Sequence, residues 1–143
     1  MNTNKSNAMW WYLGQYPELS SYLKFNTSEN YIGDVSFNSS PSETWEKKYM
    51  RGKGIKRYNF TVVMIRPHDT GTSILNVDEI FNVERFMDWI SEQNKIKNFP
   101  DFGENTRVLS IEPLQNIPNL AAEDPDGSSA KYMFGCRVRY EIL

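Results

Sequence analysis

Glu84, Asp88 and Glu92 stand four residues apart in a stretch whose apolar residues recur at helical spacing, so the three carboxylates share one ridge of a helix. Paired carboxylates are what general acid and base work requires, and a small hydrolase is the chemical reading of this ridge. Arg85 and Lys95 flank it, and it lies off the apolar stripe, so a solvated face is the stronger expectation; groups tuned for catalysis need burial. His68 is the sole histidine and sits between Pro67 and Asp69, which places it in a loop and leaves no two-histidine metal site. Cys136, the sole cysteine, could pair with His68 as a nucleophile, but it alternates with Phe134 and Val138 on the apolar side of a strand, where a free thiol acts as a small hydrophobe. "RGKG" and "DFGEN" lack the spacing and the helix start of a phosphate-cradling loop and read as turns. The residues therefore predict no catalytic set, no metal and no cofactor.

The chain of 143 residues fits one domain, and its 16 basic against 18 acidic residues give no electrostatic footprint for general nucleic-acid binding. One cysteine forms no internal disulfide, which suits synthesis in a reducing cytosol. No apolar run approaches the ~20 residues of a membrane span, and "MNTNKSNAMWWYLG" lacks the apolar core of a signal peptide, so no membrane partner is expected.

The elements that must position these residues are legible to different degrees. Residues 1–7 are polar and aperiodic and read as a flexible arm, with Ser6 or Asn7 able to cap a short helix from Ala8 to Leu13. That helix would turn Trp10 and Leu13 inward, with Trp11 beside them. Strands are expected at "YIGDVSF", at Thr44–Met50, and at Ile55–Ile65, the last two joined through "RGKG" as a hairpin. Tyr58, Phe60, Val62 and Met64 share one face of the third strand, while Val63 and Ile65 make its end apolar on both faces, as under a helix or a neighbouring subunit. The segment Pro67–Asn76 reads as a surface loop whose "SIL" could add an edge strand. After it comes a long helix with Ile80, Val83, Phe86 or Met87, and Ile90 inward, Asp78 and Glu79 in its first turn, and Pro100 beyond its end. "NTRVLSIEPL" is a strand with Leu109 and Ile111 inward, and Asn116–Ser129 a projecting loop. The chain closes on "KYMFGCRVRYEIL", which alternates throughout: Tyr132, Phe134, Cys136, Val138, Tyr140 and Ile142 on one side, Arg137 and Arg139 on the other. The sum is an α+β domain spanning residues 8–143, a mixed or antiparallel sheet flanked by helices.

Three stretches, "KKYMRGKGIKRYNFTV", "FMDWISEQNKIKNFPDFG" and "KYMFGCRVRYEIL", together resemble the tail terminator (tail completion, or "minor capsid") proteins of phages and phage-tail-like particles of Gram-positive bacteria. Tyr49, Gly52, Arg57, Tyr58 and Phe60 carry the first block; Trp89, Ile90, Glu92, Gln93, Asn94, Pro100 and Gly103 the second; the alternation from Tyr132 to Tyr140 the third. The resemblance implies a small α+β domain and a structural role without chemistry. Six copies would ring the head-proximal end of a completed tail tube, stop its polymerisation, and present a surface to the neck or collar, and to a sheath in contractile particles such as R-type bacteriocins. A head-completion or neck protein of the same particle is the nearest alternative. Arg137, Arg139, His68, Asp69, Asn116, Asp124 and Asp126 are the candidate subunit or tube contacts, on the polar face of the last strand and in the two long loops. Phe60, Phe86, Trp89, Ile90, Cys136 and Tyr140 are the candidate core.

Overall fold

The computed structural model describes residues 5–17, 23–25, 35–39, 44–67, 74–115, 118–123 and 129–143. In chain order the elements are α1 (Lys5–Leu13), β1 (Leu23–Phe25), β2 (Val35–Ser39), β3 (Thr44–Lys48), a one-turn 3-10 helix (Met50–Gly52), β4 (Gly54–Pro67), α2 (Ile74–Lys95), β5 (Thr106–Pro113), β6 (Asn119–Glu123) and β7 (Ser129–Ile142). The strands form a seven-stranded sheet with the path β1-β2-β4-β7-β5, β3 pairing with β4 and β6 with β7. Among the described residues only β1 and β2 run parallel, so the sheet is mixed, and the architecture is the α+β one expected.

Its spine is the pair β4 and β7, in unbroken register from Gly54↔Ile142 to Pro67↔Ser129. The period of two becomes burial. Every even residue of β7 from Ala130 to Tyr140 is buried, as are Tyr58, Phe60, Val62 and Met64 opposite, and all of them meet Met9, Tyr12, Leu13 and Tyr16 of the α1 region and Val83, Phe86, Met87 and Ile90 of α2 in one core. Both helices therefore cover the same face. Phe86 and Met87 share the inward position that helical spacing left open between them. On the opposite face Val63 and Ile65 are buried within the chain itself, so their burial requires no neighbouring subunit.

Several expectations need correction. The helix α1 begins at Lys5, inside the segment expected to be an arm, and Ser6 Oγ lies 2.8 Å from Tyr58 Oη, a hydrogen bond that ties its first turn to the sheet. Leu13 is inward as expected and Trp10 packs on the core, but Met9 and Tyr12 share the inward side and Trp11 is 65% exposed. Ile74 and Leu75 belong to α2 and not to an edge strand. Asp78 and Glu79 consequently fall past the first turn, and Glu79 serves a different purpose: its carboxylate accepts from Arg66 Nε at 2.5 Å and from Asn82 Nδ2 at 3.2 Å, fastening the end of β4 to the helix. In β5 a bulge between Val108 and Ser110 breaks the alternation, so that Val108 and Ile111 point to the core where Leu109 and Ile111 were expected. Part of the supposed projecting loop is β6, which extends the outer side of β7 beyond the end of β5. Between the two, Gln115 takes the place of a strand: its Oε1 accepts from the Gly135 amide at 3.1 Å and its Nε2 donates to the Met133 carbonyl at 3.4 Å.

The residues that distinguish "DWISEQNKIKNFPDFG" from ordinary helix periodicity close the end of α2 or join it to β5. Lys97 takes a left-handed backbone (φ 58°), and the Asn98 amide donates back to the Gln93 carbonyl at 2.9 Å, a Schellman closure. The two side chains repeat the link, Asn98 Nδ2 donating to Gln93 Oε1 at 2.6 Å, and the Asn98 carbonyl accepts from Tyr12 Oη at 2.7 Å, so α1 rests on the same knot. Asn94 Oδ1 accepts from the Ile111 amide at 3.1 Å and covers part of the outer edge of β5. Gly103 (φ 105°) then turns the chain into β5, with Thr106 Oγ1 donating to its carbonyl at 2.7 Å.

Candidate functional site

Arg137 and Arg139 lie on the face of the sheet away from the helices, as the alternation requires, but both are engaged inside the chain. The register sets Arg139 directly opposite Arg57, two like charges that would repel. Glu46 relieves this. It is the extra residue at a bulge in β3 between Trp45 and Lys47, and its carboxylate accepts from Arg139 Nε at 2.7 Å and Nη2 at 2.8 Å, with Arg57 Nε 3.8 Å away. The hydrogen bond from Arg139 holds the Glu46 carboxyl below the usual carboxylate range, and the same bond raises the guanidinium. Arg137 Nε donates to Asn59 Oδ1 at 3.2 Å. The two arginines thus bind the hairpin and the central strands together within one chain, and any contact with a second chain would have to use the donors these bonds leave over.

Because Glu46 binds its proton less readily when folded, the bridge stabilises the fold fully above the ordinary carboxylate pKa of roughly 4.3 and is lost as the pH falls through the lowered folded value. Glu46→Gln is expected to flatten the acid side of the stability profile while leaving its slope near neutrality unchanged, as measured by thermal midpoints between about pH 3 and pH 7.

His68, Asp69, Asn116, Asp124 and Asp126 lie outside the described residues. The core candidates hold their expected positions: Phe60, Phe86, Ile90, Cys136 and Tyr140 are buried and Trp89 is packed against them. Burial pushes the Cys136 thiol well above its ordinary pKa, which disfavours the thiolate. Labelling with a disulfide reagent is accordingly expected to be at least about 100-fold slower for the native chain than for the chain in denaturant, and comparable rates would contradict the packing of β7.

Of the carboxylate ridge, Asp88 and Glu92 are exposed and Glu84 is half-buried on the solvent side of α2. Glu84 and Asp88 border a shallow hollow of about 380 Å³ together with Phe81, Asn82 and Arg85. Phe81 is 55% exposed, an aromatic turned away from the core of its own helix. A second hollow of about 390 Å³ opens where α1 meets the segment after α2, with Trp11, Tyr12, Asn98 and Phe99 in its wall. The tryptophan pair divides there, Trp10 packing on the core and Trp11 facing outward, edge to face at 4.9 Å between ring centroids. Among the described residues no group of His, Cys, Asp and Glu side chains could hold a metal ion.

One surface was missed from the sequence. The paired part of the β3–β4 hairpin, residues 44–57, carries Lys47, Lys48, Arg51, Lys53, Lys56 and Arg57 against the single carboxylate of Glu46, which leaves it at +5 and, with the chain at −2, the remainder at −7. Trp45 is flanked by the ammonium groups of Lys56 and Lys48, 4.7 and 5.5 Å from its ring centroid. At the tip Tyr49 is 50% exposed and Met50 88% exposed. The signal was local charge asymmetry, which a near-neutral whole chain conceals.

The fold defines the class of the protein as an α+β domain with two helices on one face of a mixed sheet and a basic hairpin extending from it. No family model matches the chain, and no curated protein matches it.

Proposed function

We propose that this chain is a non-enzymatic ring subunit that caps the head-proximal end of a phage tail or of a contractile phage-tail-like particle. It ends polymerisation of the tube, and of the sheath where there is one, and joins the finished tail to the neck or collar. The observation that carries this reading is spatial. The three stretches of the sequence resemblance are far apart in the chain, yet they form one contiguous unit: the β3–β4 hairpin, the C-terminal half of α2 with its closure, and β7. The strand β7 pairs with β4 along its whole length and packs beneath α2. Of the residues specific to the middle stretch, Gln93 closes α2 through Asn98, while Asn94 and Gly103 join that closure to β5, the neighbour of β7.

A structural role suits the surfaces as well. A closed ring of heterologous contacts needs two different patches on each subunit, and a basic hairpin and an acidic helix face with an exposed aromatic are two such patches. Homo-oligomer, tube protein and collar are the partners this role entails, and the assembled particle is its place of action.

The test is to purify the full chain, measure its mass in solution, and mix it with tail tubes for electron microscopy. Rings of about six copies at one end of the tube, with tubes no longer elongating, are the expected result. Density at the head portal instead would favour the head-completion alternative, and chains that stay monomeric and never appear at tube ends would overturn the ring reading. For the hydrolase alternative, Asp88→Asn would have to abolish a measurable activity, and the ring reading predicts that it abolishes none.

A further inference from the structure

The basic hairpin and the acidic face of α2 cannot meet within one molecule. Gly54, which pairs with Lys48 next to the hairpin turn, and Arg66, which is bonded to Glu79 near the start of α2, are separated by twelve residues of extended strand, on the order of 40 Å. The helix then runs back along the strand, at ~1.5 Å per residue, and reaches β5 through Asn94 at the level of Ile111, which pairs with Val138 as Tyr58 does. Phe81, Glu84 and Asp88 therefore sit tens of ångströms from the hairpin tip. Arg51 and Lys53 pair with no acid among the described residues, and neither Asp88 nor Glu92 pairs with a base there.

Each end also exposes an apolar group beside its charges: Met50 and Tyr49 at the basic end, Phe81 in the hollow bordered by Glu84 and Asp88 at the acidic end. Two carboxylates against the single Arg85 leave that hollow acidic, and the exposed ring of Phe81 gives it an apolar floor. An apolar plug ringed by opposite charges gives both register and attraction, and long-range attraction between a +5 hairpin and the −7 remainder speeds encounter.

We infer that the β3–β4 hairpin of one copy docks on the Phe81, Glu84, Asp88 face of α2 in the next copy, head to tail, with Met50 seated in the hollow. The occupant of each surface is thus a second copy of this chain. The inference rests on the ring reading and specifies its repeating contact.

Sedimentation of the full-length chain tests it with Lys53→Glu, Asp88→Lys and the two combined. Lys53 and Asp88 are exposed, so thermal midpoints should stay near that of the parent chain. Each single reversal is expected to weaken self-association at least tenfold, and the combined variant to recover most of it, because the pair is restored with its signs exchanged. Met50→Asp, at a position 88% exposed, is expected to weaken association without a rescuing partner. Raising the salt from about 0.05 M to about 0.5 M should weaken the parent in the same direction. Single reversals that associate like the parent, or a combined variant no better than either, would overturn the contact. So would a Lys53→Glu variant that loses affinity for duplex DNA while sedimenting unchanged, since the hairpin would then serve nucleic acid. Intact rings of Lys53→Glu subunits on tube ends would sink this contact and leave the ring reading standing, whereas a parent chain that neither associates nor reaches tube ends would sink both.

Discussion

Phe86→Ala is expected to destabilise the fold by about 3–5 kcal/mol, a large part of the 5–15 kcal/mol that a domain of this size possesses. The ring is fully buried and lies at the meeting point of three parts of the fold: 4.4 Å from Tyr16 beyond α1, 6.0 Å from Trp89 on its own helix, and 5.9 Å from Phe134 on β7, all between ring centroids. Truncation removes the transfer energy of the ring and leaves a cavity whose walls are themselves large rings that cannot easily close in, so the cost belongs at the upper part of the range for core truncations. Denaturant titration should show a lower midpoint with an unchanged slope. Phe81 provides the internal control: the same residue type on the same helix, 55% exposed, where alanine should change stability by no more than about 0.5 kcal/mol. Equal effects at the two positions would contradict the assignment of the inward face of α2.

What was legible in the sequence is what local periodicity encodes. The alternation of β7 and β4 and the apolar stripe from Ile80 to Ile90 each survive as burial patterns, since both depend on residues within a few positions of one another. The failures are all places where a distant or irregular partner decides. Unbroken alternation puts Leu109 inward, and one bulge reverses it. Pro118 and Gly127 bracket a polar stretch that by itself spells loop, yet β7 offers β6 an open ladder to pair with. Arg139 was correctly placed on the outer face, but the carboxylate that binds it comes from Glu46, 93 residues earlier and aimed by another bulge. The candidate site follows the same rule. The hairpin and the ridge are each visible as charge in the chain, while their separation along β4, which keeps them from meeting within one chain, is a property of topology.

Gly54→Ala carries the second large effect, roughly 2–4 kcal/mol, and it strikes the hairpin itself. The backbone at Gly54 has φ 149°, a region that side chains strongly disfavour, and a Cβ there would lie 2.2 Å from the Lys47 carbonyl oxygen and 2.9 Å from the Trp45 ring. The clash with the carbonyl is with backbone, so no rotamer relieves it; β3 must move away from β4. Trp45 would then leave its place between Lys48 and Lys56, and Glu46 its grip on Arg139. Gly52→Ala isolates the conformational part, because Gly52 has φ 72° with nothing near the added atom, and should cost only about 1 kcal/mol. The tryptophan fluorescence of Gly54→Ala should report the displaced ring before global unfolding, and its self-association should fall even at temperatures where the core stays folded. A variant that keeps a native core but loses association would place the assembling surface on the hairpin, and one that assembles normally with β3 detached would remove the hairpin from the ring.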